Sequence, residues 1–207
     1  QEDERGLDWL KSGAVYVNEY APHILKAVPR KCLVHPLRVH AVDIWNAYEI
    51  SWLSEKKTPQ VAVAKISVDG HSPNLVESKS LKLYLNSLND TSFSSTTALK
   101  QLIEQDLARV AQSDVKVELE LPPFKGVKQT KFDASWQCID EDVLMPKMAA
   151  IAPEVLVKRS SKVVHEKLYS HLLKSNCLVT NQPDWATLMI EYQGDAWDYE
   201  GLLKYIV

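Results

Sequence analysis

Two period-two runs separated by a short polar turn limit this chain more than any other feature. In VDIWNAYEISWLS (42–54), Val42, Ile44, Tyr48, Ile50 and Trp52 fall on one face, and Asp43, Glu49 and Ser51 on the other. The turn SEKKTP follows, and then QVAVAKISVDG (60–70), rich in β-branched residues. Side chains alternate across a strand, so the pair predicts an antiparallel hairpin. Further along, ALKQLIEQDLARVAQS (98–113) carries Leu99, Leu102, Ile103, Leu107 and Val110 at helical spacing. The loop before it offers serines and threonines as helix caps. VKVELELPPF (115–124) alternates again and stops at Pro122.

The rest of the chain is less regular. Residues 1–41 are spaced by Pro22, Pro29 and Pro36. In NLVESKSLKLYLNSL, Leu81, Leu83 and Leu85 fit a strand, while Leu81, Tyr84, Leu85 and Leu88 fit a helix. Residues 125–160 mix strand-like pieces with a possible helix near 141–152. KVVHEKLYSHLLKSNC and WATLMIEYQG (185–194) read as strands on either side of a polar turn. DAWDYEGLLKYIV (195–207) reads as a helix start, with Asp195 as N-cap and Leu202, Leu203 and Ile206 as its apolar face. The order is strand, strand, helices, strand, then strand, strand, helix, which predicts an α+β fold.

Composition narrows the function classes. A net charge of -3 argues against direct nucleic-acid binding, which rewards a basic surface. The longest apolar run, MAAIAPEVLV, is broken by Pro153 and Glu154, so no membrane span is expected. The acidic start QEDERGLDWLKSG lacks the basic and apolar regions of a signal peptide. Cys32, Cys138 and Cys177 are too few and too scattered for a disulfide framework. A reducing cytoplasm is the expected location.

Three groups of residues have chemistry to offer. Cys177 stands beside Lys174 and just before the turn that holds Pro183 and Asp184. A nearby lysine favours the thiolate, and a protonated carboxyl donates to a developing anion. A packed thiol and a turn-capping aspartate fit the same residues. In VESKSLKLY (76–84), Glu77 suits a polar ring, Ser78 and Ser80 suit polar groups, and Lys79 and Lys82 suit phosphate. A solvated Ser/Lys face is the alternative. Cys32, His35 and His40 have poor spacing for zinc and no fourth ligand nearby, so no metal site is expected. His165 and His171 alternate with apolar residues as surface or packing histidines would. No glycine-rich phosphate loop is present, which argues against a Rossmann domain.

ESKSLKLY (77–84) resembles the signature segment of the QueF-type NADPH-dependent nitrile reductases, and SHLLKSNCLVTNQPDW (170–185) is similar to their catalytic region. VDIWNAYEISWL and YLNSLNDTSF resemble the long, two-module form of that family. The resemblance implies a tunnelling fold (T-fold), with antiparallel sheets and paired helices, in two tandem modules at 1–135 and 136–207. It resolves the 74–88 ambiguity toward helix. It also implies reduction of 7-cyano-7-deazaguanine to 7-aminomethyl-7-deazaguanine, in queuosine biosynthesis, with NADPH used twice. Cys177 would form a thioimide with the nitrile, and Asp184 would protonate the nitrile nitrogen. Glu77, Ser78 and Lys79 would bind the base; Lys79 and Ser80 would meet the NADPH. Family members continue past the LLKYIV helix, with a His-Glu pair in the substrate pocket. The second module is therefore expected to be incomplete, and a homodimer or larger oligomer to cover its apolar surface. Two other classes fit less of the sequence. One is a base-binding scaffold that has lost turnover. The other is a zinc-dependent relative such as a GTP cyclohydrolase, for which the Cys/His set is poor.

Overall fold

The structure, a computed structural model, describes residues 17, 19–30, 39–126, 131–140, 153–176 and 182–207. It divides into two units, Gln1–Gly126 and Val127–Val207. Both mix helices with sheets, so the chain is α+β as expected. Cys32, His35, Cys177 and the expected helix near 141–152 lie outside the described residues.

Unit 1 is built on the predicted hairpin. A short strand β1 (Ala27–Pro29) precedes β2 (Val42–Ser54), which pairs antiparallel with β3 (Pro59–Asp69). The ambiguous segment resolves into β4 (Asn74–Val76), paired with β1, and helix α1 (Ser78–Asn86). Next come β5 (Ser92–Phe93), parallel to β2, helix α2 (Thr96–Ala111) and β6 (Val115–Glu120), antiparallel to β3. The sheet order is β5-β2-β3-β6. Both helices start on capped amides: the Ser95 hydroxyl accepts from Ala98 N–H, and Glu77 caps α1. Leu99, Ile103 and Leu107 of α2 are buried against Ile50, Ala64, Ile66 and Val117 of the sheet, the stripe read from the sequence. Burial of such side chains contributes about 1.5–3 kcal/mol each.

The expected faces of β2 need correcting. Val42, Ile44 and Tyr48 are exposed, while Ile50 and Trp52 are in the core and Trp45 and Ala47 pack against it. The cause is a β-bulge. The register passes from Ala47↔Ala64 to Ile50↔Ala62, so Tyr48 and Glu49 stand against Val63 alone. One extra residue exchanges the faces of everything beyond it.

Unit 2 has a three-stranded sheet, β7 (Trp136–Cys138), β8 (Lys158–Asn176) and β9 (Pro183–Trp197), in that order. β8 and β9 form a long antiparallel hairpin and β7 runs parallel to β8. Helix α3 (Tyr199–Ile206) follows β9. Its N-cap is Asp198, which accepts from Gly201 N–H; the expected cap Asp195 is instead a strand residue paired to Lys158 at 2.6 Å. A cap must sit next to the first helical residue, and β9 continues past Asp195. The expected apolar face is core within the unit: Leu203 and Ile206 are buried with Leu168, and Leu202 packs on them.

The two units share one wiring plan. Each contains a proline-led 3-10 turn, Pro22–Ile24 or Pro153–Val155, ahead of its long hairpin. The carbonyl of Lys26 accepts the N–H of Glu77, and that of Val157 the N–H of Asp198. Each acid then caps a helix, α1 or α3. Ala27 pairs with Val76, and Lys158 with Trp197. The bulge recurs too: Ala47/Ile50 in β2 has its match at Ser170/Leu173 in β8. Beyond it, Leu53 pairs with Pro59, and Asn176 with Pro183. Both returning strands start on a proline, which has no N–H to place in the ladder.

Candidate active site

The signature segment 77–84 wraps the start of α1. Oε1 of Glu77 accepts Lys79 N–H at 3.0 Å and Oε2 accepts Ser80 N–H at 2.7 Å. Both carboxylate oxygens therefore satisfy helix amides that have no intrahelical partner. Ser80 is fully buried; its hydroxyl donates to Glu77 O at 2.7 Å and accepts Lys26 N–H at 3.0 Å. The side chain expected to meet a cofactor is thus closed to a ligand and ties α1 to the chain before β1. Ser78, Lys79 and Lys82 are exposed, and neither lysine makes an ion pair with a described residue.

A second set of bonds fixes the other end of α1. Ser87 Oγ accepts Ala21 N–H at 3.2 Å. Asp106 Oδ2 accepts the hydroxyls of Tyr20 at 2.8 Å and Tyr84 at 2.7 Å, and Oδ1 accepts from Arg109 at 2.5 Å. Burial first, and then the Asp106 hydrogen bond, push the Tyr20 hydroxyl up to about 12 and Tyr84 well above the ordinary tyrosine range. Asp106 was not singled out in the sequence. Its signal was there: a carboxylate among Leu99, Ile103 and Leu107 on the buried stripe needs dedicated partners.

Beside α1 lies a cavity of about 640 Å³ between the helix and the β2 bulge. Trp45, Ala47, Leu81 and Leu85 form apolar walls; Glu49, Ser51, Ser78 and Lys82 are among its polar lining.

In unit 2, the described ends of the β8–β9 hairpin are Asn176 and Pro183, which pair with one another. Asp184 pairs with Ser175 and is exposed. Lys174 Nζ lies 5.8 Å from the centre of the Trp185 ring. Cys177 is the residue after Asn176 in sequence. The surface histidines have partners: His165 faces Glu191 at 2.9 Å, and His171 faces Thr187 at 2.8 Å. Deeper in the unit, Glu166 accepts from Tyr192, from Tyr199 at 2.9 Å and from Arg159 at 3.0 Å. Burial raises its pKa, but these hydrogen bonds and the Arg159 charge outweigh that and hold it below the usual range.

A family model described as nitrile reductase, 7-cyano-7-deazaguanine reductase N-terminal, matches residues 16–119, half of the 207. The chain belongs to the QueF-type nitrile reductase family. The match runs from before β1 into β6 and takes in the signature segment, the bulge and the Asp106 network. The α+β fold expected from the resemblance agrees with the elements observed. The β8–β9 hairpin and α3 lie past the matched span.

Proposed function

We propose that this chain is an NADPH-dependent reductase of the nitrile of 7-cyano-7-deazaguanine, acting in queuosine biosynthesis in the cytoplasm. The observation that carries this reading is the family match over unit 1, with the signature segment fixed from behind and exposed along Ser78, Lys79 and Lys82. Glu77 and Ser80 contribute by holding that segment; Ser78 and Lys79 face the ligand. We read the shared wiring as two tandem T-fold modules.

Matching the modules rung by rung supports a division of labour. Next in sequence to the last-rung residues Asn176 and Pro183, unit 2 has Cys177 and Asp184; next to Leu53 and Pro59, unit 1 has Ser54 and Gln60. After their caps, unit 1 has Lys79 and Lys82 where unit 2 has Glu200 and Leu203. A thiol and a carboxyl suit addition to a nitrile; lysines suit a phosphate-bearing cofactor.

In the proposed reaction, the Cys177 thiolate bonds to the nitrile carbon and the nitrogen takes a proton from Asp184, giving a thioimide. Hydride from NADPH adds to that carbon. The carbon–sulfur bond then breaks, releasing thiolate and an imine. A second hydride and a proton give the aminomethyl product. A homodimer or larger homo-oligomer belongs to this reading, supported by exposed Val42, Ile44 and Val61 on one sheet face.

The test is NADPH oxidation with the purified nitrile. The reading expects consumption that depends on the nitrile and stops in Cys177→Ala. Consumption that persists in that variant would place the nucleophile elsewhere.

A further inference from the structure

The signature segment has one carboxylate, Glu77, and both of its oxygens are bonded to the amides of α1. A second carboxylate stands close by in unit 1 without any such duty. Glu49 is exposed, lines the 640 Å³ cavity, and makes no hydrogen bond or ion pair with any described residue. The bulge puts it there. Two residues stand against one, so Tyr48 and Glu49 both fall out of the ladder and line the cavity. Lys82 lines the same space from α1, exposed and unpaired with Glu49. The matching bulge of unit 2 carries His171 and Leu172, with no carboxylate.

We infer that this bulge cavity is a binding site for a flat nitrogen heterocycle with an N–H donor edge, read by Glu49. The volume suits a small-molecule ligand. Trp45 and Tyr48 are aromatic surfaces against which a ring stacks. An ionised carboxylate only accepts hydrogen bonds, so it selects rings that present donors. Lys82 adds a cation for an anionic group attached to such a ring. The inference rests on the nitrile-reductase reading for its two candidate sources, which share this chemistry: the deazaguanine substrate and a ring of the NADPH cofactor.

Two probes separate the sources, 7-cyano-7-deazaguanine alone and oxidised NADP alone, each titrated calorimetrically into the full chain and into Glu49→Gln. The glutamine keeps size and removes the charge. Because Glu49 is exposed and has no partner among the described residues, the variant should melt with the wild type. Binding of one probe should weaken about tenfold or more, the loss expected for a hydrogen bond to a charged group. Loss confined to the nitrile assigns the site to substrate; loss confined to NADP assigns it to cofactor. In the cofactor case, Lys82→Met should weaken NADP as well. If both probes bind the wild type and Glu49→Gln equally, the site is overturned while nitrile reduction stands. If the wild type binds neither probe and oxidises no NADPH with the nitrile, the functional reading fails and the site fails with it.

Discussion

The hydroxyl of Tyr84, fully buried in α1, donates to Asp106 of α2 at 2.7 Å. This bond joins the helix that carries the signature segment to the helix that covers the sheet. Removing the hydroxyl leaves a buried carboxylate with one donor fewer. Tyr84→Phe should destabilise unit 1 by about 1–3 kcal/mol in urea unfolding. Wild-type stability in that variant would mean that Tyr20 and Arg109 suffice.

The same bond has an alkaline signature. Tyr20 and Tyr84 keep their protons to higher pH in the fold than in the unfolded chain. Their contribution is full below the unfolded tyrosine value of about 10 and is lost as the pH rises through their folded values, about 12 for Tyr20. Unit 1 should therefore weaken above about pH 10, less steeply in Tyr84→Phe.

Unit 2 should respond at the acid end. Glu166 titrates below its unfolded value, despite burial, because Tyr192, Tyr199 and Arg159 hold its charged form. That contribution is present above about pH 4.3 and is lost as the pH falls through the folded value. Glu166→Gln should flatten the acid limb of unit 2 unfolding. An unchanged limb would remove Glu166 from the account.

Gly201 is a glycine for steric reasons. An added Cβ would lie 2.1 Å from the carbonyl oxygen of Val155, where the 3-10 turn meets α3. Unit 1 has Ser80 at the matching position, second after the first helical residue. Gly201→Ala should cost unit 2 about 1–3 kcal/mol, seen as an earlier unfolding transition. Full stability would show that the turn can retreat freely.

How much of this was legible follows from what alternation and helical stripes encode. The hairpin at 42–70 and the stripe Leu99, Ile103, Leu107 could be read because burial of one face repeats with the period of the element. The bulge could not, because the apolar residues Val42, Ile44 and Tyr48 continue the wrong phase across it. The cap of α3 was misplaced because Asp195 and Asp198 are equally good capping residues, and only the length of β9 chooses between them. At the site, ESKSLKLY announced its importance but not its division of labour. Which of Glu77, Ser78, Lys79 and Ser80 points outward depends on where α1 starts, and Glu49 gained its place only through the bulge.

The exposed lysines should set cofactor choice. NADPH carries a phosphate that NADH lacks, and a cation near it makes a charge-assisted hydrogen bond. Lys79→Ala should raise the KM for NADPH about tenfold and change that for NADH much less. Equal losses with both cofactors would move Lys79 away from the phosphate.

The central claim is that Cys177 attacks the nitrile, and intact-mass spectrometry tests it most directly. Wild-type protein mixed with 7-cyano-7-deazaguanine, without NADPH, should gain the mass of one nitrile, and Cys177→Ala should gain nothing. An adduct that survives in Cys177→Ala, or a wild-type protein that forms none while still reducing the nitrile, would contradict it.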